Sequence, residues 1–411
     1  MRFFCFGQGR LELALAGLLV VVLAGCAPLR HYEAARVLQD FAAGTADSRL
    51  KRTTPEPLRQ SLSYTVDGRA RQADLYLPAA LEGCGVQPPV PPGQALASRC
   101  PRAALVAVPG AVPQGKDDPR MVAFATTLAR AGFAVLVPDL RGYRELRVRP
   151  ADADEIADAF AWLAGQPELA PAGRAGIFAF SYSVGPAVLA ALRDDIREQV
   201  RYLVGMGGYY DLPRAIRFFT TGWFEHDGQW YRGTPDDTGR MVLAYASLDY
   251  FADHGDRAVF DRMVVLRHRD PDADLSPLAA TLSDGVRSVY ELAVNDDPAR
   301  FAELYARLPE RMRAHIDQLD LARRDLAPLK ARLILVHGRN DNLIPWTESL
   351  ALAAAVEEGQ ARVFLIRRLL GHVDLSAPDL LAWRFWHEDL PDLWRMWRVI
   401  DLLLAERGAG A

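Results

Sequence analysis

The sequence predicts an α/β protein in which a mostly parallel β-sheet carries helices on both faces. Short apolar runs typical of buried strands alternate with amphipathic or Ala/Leu-rich runs typical of helices. This alternation stops near residue 207 and resumes near residue 328, which indicates a large insertion. At one strand-to-helix junction, within residues 174–187, the turn carries serines. A sheet of this kind places such turns together at one edge, where a site can form.

Composition limits the classes of protein that fit. A chain of 411 residues is long enough for one large domain with an insertion or for two domains. Half of its residues are hydrophobic, so it can bury a substantial core. The net charge is −4 and the arginines are spread along the chain. Nothing in this charge pattern favours a nucleic-acid partner.

The first residues have the layout of a processing signal. Basic Arg2 and Arg10 precede a short apolar run, Leu13 to Leu23, which leads into Leu23-Ala24-Gly25-Cys26. The segment resembles a bacterial lipoprotein signal peptide. The resemblance implies removal of residues 1–25 and acylation of Cys26. Because position 27 is alanine and not aspartate, it also implies the periplasmic face of the outer membrane; an uncleaved anchor helix is the alternative.

Two other cysteines fit an exported protein. Cys84 and Cys100 bracket a Pro/Gly-rich segment, and an oxidising compartment allows them to form a disulfide. We therefore expect a Cys84–Cys100 bond. CxxC and HExxH spacings do not occur in the sequence, so we expect no metal site and no cofactor.

The elements follow in order after a predicted spacer at 26–58. A hairpin with an Asp67-Gly68 turn opens the first part of the core, 59–206. Strands are predicted at 103–108, 133–137, 177–180, 202–206, 333–337 and 362–366, and helices at 122–131, from 152, at 187–192 and at 348–357. The second part of the core, 328–411, ends in Trp-rich helices that we expect to pack onto the sheet.

The insertion at 207–327 begins with a cluster of aromatic residues and continues with helical patterns. We expect a mainly helical cap over the C-terminal ends of the strands, inserted before the strand that carries the acid. The alternative is a structural subdomain in which the aromatic residues form only its own core.

Residues 174–187 are typical of a nucleophile elbow, in which a strained turn between a strand and a helix exposes a serine. The strand ends at Phe180, the turn is Ser181-Tyr182-Ser183, and a helical run follows. Ala179 and Ser183 occupy the two positions where glycine is usual. The stretch resembles the α/β-hydrolase superfamily. Ser181 is the preferred nucleophile, and Ser183 is a second candidate because small residues also flank it.

A serine nucleophile needs a base, and the base needs an orienting carboxylate. His337-Gly338-Arg339-Asn340-Asp341 resembles the acid loop of these hydrolases, which makes Asp341 the acid. Gly371-His372 follows the last predicted strand, where the resemblance places the base. Asp211 and His387 are the weaker alternatives.

The same resemblance implies two backbone donors to the oxyanion. One is the N–H of Tyr182, and the other is the N–H of Ala111 in the loop after an earlier strand. Lys116 and Arg120 follow that loop, and either could meet an anionic substrate group, although helix capping explains most of that segment.

The resemblance therefore implies a lipid-anchored serine hydrolase of the bacterial envelope that acts on small carboxylic esters or acyl compounds. A peptidase or an acyltransferase could use the same groups. A non-catalytic envelope scaffold is an alternative of another class. The sequence gives no prediction of the oligomeric state.

Overall fold

A computed structural model describes residues 28–79, 101–251, 254–270, 273–373 and 383–408. Its main sheet has eight strands in the order β1-β2-β4-β3-β5-β6-β9-β10, and β7 and β8 form a separate pair. The strands are β1 Leu58–Val66, β2 Arg69–Leu77, β3 Ala103–Val108, β4 Phe133–Pro138, β5 Ala175–Phe180, β6 Val200–Met206, β7 Trp223–His226, β8 Gln229–Arg232, β9 Arg332–Gly338 and β10 Ala361–Ile366.

Helices lie on both faces of the main sheet, as predicted. They are α1 Pro28–Ala43, α2 Arg49–Thr53, α3 Pro119–Arg130, α4 Arg141–Arg144, α5 Ala151–Ala164, α6 Val184–Ala191, α7 Leu212–Thr221, α8 Thr238–Ser247, α9 His254–Arg269, α10 Ser276–Ala279, α11 Asp284–Ala293, α12 Phe301–Ala306, α13 Glu310–Leu319, α14 Thr347–Ala354 and α15 Leu390–Ala405. One core layer includes α5 and α6, and the other includes α1, α3 and α15.

The sheet is parallel from β4 to β10, and its β1 edge is antiparallel. The predicted hairpin is present: β1 pairs with β2 through a turn in which Asp67 has φ 49° and Gly68 has φ 78°. Two consecutive positive φ angles define a type I′ turn, which matches the twist of paired strands. Since β3, β4, β5, β6, β9 and β10 of the main sheet point the same way, the loops after β3, β5, β6 and β9 meet at one edge.

The expectation of a spacer at 26–58 is wrong for the described part of that segment. Helix α1 buries Ala34, Val37 and Leu38 in the core layer that also contains α15. The carbonyl of His31 accepts a hydrogen bond from Nε1 of Trp397 at 3.0 Å. These apolar residues repeat at helical spacing, so α1 can only hide them by packing against the body.

The insertion contains helices α7 to α13 and the β7–β8 hairpin. Its helices share an apolar cluster of their own that includes Leu243, Phe260, Val289 and Met312. Arg214 at the start of α7 binds Glu348 of α14 through Nε and Nη2, at 3.0 and 2.8 Å. This ion pair connects α7, the first helix of the insertion, to α14 of the core.

The C-terminal helical region packs against the body only in part. After a short π-helix, Phe385–Asp389, helix α15 buries Trp397. Trp383, Trp386 and Trp394 are exposed to 79%, 61% and 40%. The prediction that this region packs onto the sheet thus holds for α15, which buries Leu393, Trp397 and Ile400, whereas the other three tryptophans stay exposed. Among the described residues, the helices are all too short or too polar to cross a membrane.

Candidate active site

The turn between β5 and α6 gives Ser181 an unusual backbone. Its φ is +56°, a left-handed conformation that costs energy for any residue with a side chain. Strand β5 ends at Phe180 and α6 begins at Val184, so residues Ser181–Ser183 form one tight turn between them. The helix also lies close to the chain after β6, because a Cβ on Gly185 would sit 2.2 Å from the ring of Tyr209. This is the geometry expected of a nucleophile elbow.

Three side chains from distant parts of the chain meet at this turn. Oγ of Ser181 lies 2.5 Å from Nε2 of His372, 191 positions away in the sequence. Nδ1 of His372 lies 2.8 Å from Oδ2 of Asp341, another 31 positions away. The structure therefore brings together the three residues that the sequence singled out as nucleophile, base and acid.

The carboxyl group of Asp341 is buried and remains ionised. Burial alone would raise its pKa, but the neighbouring His372 and the hydrogen bonds from His337 and His372 hold the pKa of Asp341 well below its usual range. Its Oδ1 accepts the backbone N–H groups of Leu343 and Ile344, both at 2.8 Å. An ionised Asp341 makes Nδ1 of His372 the donor, which leaves Nε2 free to accept the proton of Ser181.

His337 is a member of the site that sequence reasoning did not find. It is fully buried, and its Nε2 lies 2.9 Å from the carbonyl oxygen of Ile344 and 3.2 Å from Oδ2 of Asp341. A carbonyl can only accept, so Nε2 carries the proton, and Nδ1 accepts from the hydroxyl of Ser349 at 2.7 Å. The sequence signal was its place at the start of the acid-loop motif, four residues before Asp341, which gave it no role of its own.

The alternative candidates have other partners. Ser183 is fully buried, and its hydroxyl donates to the carbonyl of Pro109. The side chain of Asp211 caps α7 by accepting the N–H of Arg214 at 2.8 Å. The ring of His387 lies against Trp383, with ring centroids 4.6 Å apart. The structure thus brings Ser181, Asp341 and His372 together, and these three alternatives lie elsewhere.

Tyr182, which follows Ser181, is held by a buried carboxyl group. Its hydroxyl donates to Oδ2 of Asp152 at 3.1 Å, and the backbone N–H of Arg149 donates to the same oxygen at 2.7 Å. Burial raises the pKa of Asp152 to about 7, although both hydrogen bonds act to lower it. The backbone that carries the Tyr182 N–H is therefore fixed through its own side chain.

Comparison with known proteins gives matches in structure only. No protein-family profile and no curated protein sequence matches the chain. A Legionella pneumophila protein provisionally assigned as a hydrolase is 12% identical, with 88% of this chain and 95% of that chain covered and a TM-score of 0.52. This chain has the α/β-hydrolase fold. At such low identity the likeness establishes the fold alone.

Two further structures align over most of their length with lower scores. The 2,6-dihydroxy-pseudo-oxynicotine hydrolase is 13% identical, over 96% of this chain and 81% of that chain, with a TM-score of 0.46. A Pyrobaculum calidifontis esterase is 14% identical, over 96% and 97% of the two chains, with a TM-score of 0.43.

Two cavities meet at Ser181 in this α/β-hydrolase fold. The larger measures about 780 Å³ and runs from Ser181 and His372 to side chains of α1 and α15, namely Leu38, Phe41, Met396, Val399 and Ile400. The smaller measures about 120 Å³ and lies under the insertion, with walls that include Tyr182, Ile216, Phe219, Leu243 and Ile316. Ala111 and Ser181 both line the two cavities, and the expected role of the Ala111 N–H as a donor to the oxyanion stays a prediction.

The remaining predicted residues fall into two groups. Lys116 forms ion pairs with Asp74, at 3.2 Å, and with Asp117. Arg120, at the start of α3, forms an ion pair with Asp118 at 3.0 Å and also lines the large cavity. Cys26, Cys84 and Cys100 lie outside the described residues, so the expected acylation and disulfide stay predictions. Within the described ranges, the His, Cys, Asp and Glu side chains form no cluster of three that could hold a metal ion.

Proposed function

We propose that the protein is a serine hydrolase that cleaves carboxylic esters through an acyl-enzyme. One observation carries the proposal: the continuous chain of contacts from Oγ of Ser181 through His372 to the ionised Asp341. A serine hydroxyl is a weak nucleophile, and Nε2 of His372, at 2.5 Å, is positioned to take its proton.

In the proposed reaction, Ser181 attacks the ester carbonyl while Nε2 of His372 accepts its proton. The N–H groups of Tyr182 and Ala111 stabilise the negative oxygen of the tetrahedral intermediate. His372 then gives the proton to the leaving alcohol. Water, deprotonated by His372, attacks the acyl-enzyme; the bond between the acyl carbon and Oγ of Ser181 then breaks, His372 returns the proton to Oγ, and the acid is released. Asp341 stabilises the imidazolium in both halves without taking its proton.

The shape of the site supports an ester with one bulky apolar part. Besides the apolar residues of α1 and α15, the large cavity is lined by Phe124 and Phe180, whereas the small cavity has room for a short group only. A peptidase or an acyltransferase would use the same three side chains, so esters and amides that share an acyl group must be compared directly.

We further propose that the hydrolase is an envelope protein tethered through acylated Cys26 and facing the periplasm. The sequence Leu23-Ala24-Gly25-Cys26 supports this proposal. Radiolabelled palmitate should enter the wild-type protein and should be absent from Cys26→Ser. Globomycin should cause the unprocessed precursor to accumulate.

Labelling with a fluorophosphonate probe tests the catalytic proposal. The wild type and Ser183→Ala should be labelled, and Ser181→Ala should not. Circular dichroism must first show that each variant is folded, because Ser183 makes a buried hydrogen bond. Labelling that persists in Ser181→Ala and disappears in a folded Ser183→Ala would show that Ser183 is the nucleophile. A folded wild type that takes no label would favour the scaffold alternative.

A further inference from the structure

Helix α1 begins almost immediately after the proposed lipid attachment site. Its first residue is Pro28, and Cys26 is two positions earlier. Consecutive Cα atoms are about 3.8 Å apart, so the Cα atoms of these two residues are at most about 8 Å apart. Because α1 is packed into the body, it cannot serve as a flexible linker between Cys26 and the rest of the protein. Acyl chains on Cys26 would bring the N-terminal end of α1 to the surface of the bilayer.

Exposed aromatic side chains lie beside this end of α1 and along the segment that leads into α15. The ring of Trp397 meets His31 of α1 edge-on at 5.3 Å and stacks on Trp394 at 4.7 Å. Trp394 therefore lies next to the first turns of α1, and it is 40% exposed. Trp386 lies in the π-helix that leads into α15, and Trp383 lies in the turn just before that π-helix; they are exposed to 61% and 79%. Leu29, in the first turn of α1, is 85% exposed.

We propose that these four residues, Leu29, Trp383, Trp386 and Trp394, form a face that docks onto the surface of a lipid bilayer. Tryptophan suits this position, because its ring is apolar while its N–H can bond to headgroups or water. A body tethered at the N-terminal end of α1 must meet the bilayer with some face, and this one offers the apolar surface. The docking rests on the proposed acylation of Cys26 and is independent of the ester chemistry.

Neighbouring charges indicate what kind of bilayer is recognised. Arg30 and Arg398 pair with Asp401, and Arg395 pairs with Asp392. These three arginines face two aspartates, so the named pairs carry a single net positive charge. Docking should therefore depend on burial of the aromatic rings and should need neither anionic lipid nor low salt. Zwitterionic phosphatidylcholine is the appropriate test surface.

The experiment measures quenching of tryptophan fluorescence by brominated acyl chains. The acylated protein is reconstituted into phosphatidylcholine vesicles with and without brominated lipid. The test variant is Trp383→Ser/Trp386→Ser/Trp394→Ser. The matched control is Trp230→Ser/Tyr231→Ser, which removes two aromatic residues exposed to 47% and 41% on the insertion hairpin. Quenching should be strong in the wild type and in the control, and most of it should disappear in the triple variant.

A second arm removes the lipid. In the chain carrying Cys26→Ser, adding the triple substitution should weaken partitioning into the same vesicles by about ten-fold or more, since three largely apolar rings no longer leave water. Equal partitioning with and without the tryptophans would overturn the proposal. So would an unquenched acylated wild type, or sedimentation data in which the triple substitution turns a dimer into a monomer. Hydrolysis of a water-soluble ester, followed in parallel, reports separately on the catalytic proposal.

Discussion

Oδ2 of Asp341 lies 3.2 Å from Nε2 of His337, an imidazole that is completely shielded from solvent. The same oxygen also accepts a hydrogen bond from Nδ1 of His372 at 2.8 Å. His337 thus helps to hold the acid in the position that orients the base. Replacement by a residue that cannot donate should let the Asp341 carboxylate rotate.

We expect His337→Phe to lower kcat by roughly ten- to hundred-fold, the effect of losing one hydrogen bond to a charged group. KM should change little, because His337 is not among the residues that line the two cavities. Steady-state kinetics on a soluble ester measures both constants. His387→Phe, on the π-helix, is the control and should leave kcat as in the wild type.

Asp152 should make stability depend on pH. Its pKa is about 7 in the folded protein and about 3.8 in the unfolded chain. Between these values the folded state binds more protons at Asp152, so the contribution of Asp152 to stability is greatest at low pH and should fall as the pH rises towards 7, by as much as ~4 kcal/mol. Urea midpoints of Asp152→Asn should not show this decline. The exposed Asp154→Asn, on the same helix, should follow the wild type.

The Arg214–Glu348 pair should contribute measurably to stability. Glu348 is buried, and its other oxygen accepts the N–H groups of Tyr210 and Asp211 at 3.0 and 2.8 Å. Glu348→Ala leaves these donors and the guanidinium of Arg214 without their partner. We expect a loss of about 2 kcal/mol or more in the free energy of unfolding, measured by urea denaturation. An unchanged value, equal to that of the exposed Glu358→Ala, would contradict the role of this pair.

The two cavities should bind different parts of an ester. Ala123 of α3 lines the large cavity, and Ala246 of α8 lines the small one. Ala123→Phe should lower kcat/KM for a decanoate ester by about ten-fold more than for an acetate ester, since it fills space that a long chain needs. Ala246→Phe should lower activity without changing the preference for chain length. Equal losses across the series in Ala123→Phe would contradict this assignment.

Much of the sheet and the central contacts of the site could be predicted from local sequence. The strand at 103–108 is a continuous apolar run that ends before Pro109, and β3 has the same bounds. Ser181, Asp341 and His372 each follow a strand of a parallel sheet, so topology alone brings them to one edge. Their order along the chain and the residues next to each in the sequence predicted which is the nucleophile, which the acid and which the base.

What the sequence did not reveal depends on contacts between distant segments. Helix α1 has an Ala-rich pattern next to a processing signal, and only its packing on α15, more than 350 residues later, distinguishes it from a tether. His337 was assigned to a motif without a role, because its partners Ile344 and Ser349 are recognisable only after the loop has folded back. The cavity walls likewise combine elements from both ends of the chain.

Helix α1 also constrains how this protein can be shortened in the laboratory. The order of elements along the chain suggests starting a shortened protein at the β1–β2 hairpin. Such a truncation would remove α1, which would expose the apolar side of α15 to solvent and open one wall of the large cavity. Such a product would be expected to aggregate or to lose selectivity for reasons unrelated to lipid attachment. A water-soluble version should keep every residue from Pro28 onward and change only Cys26.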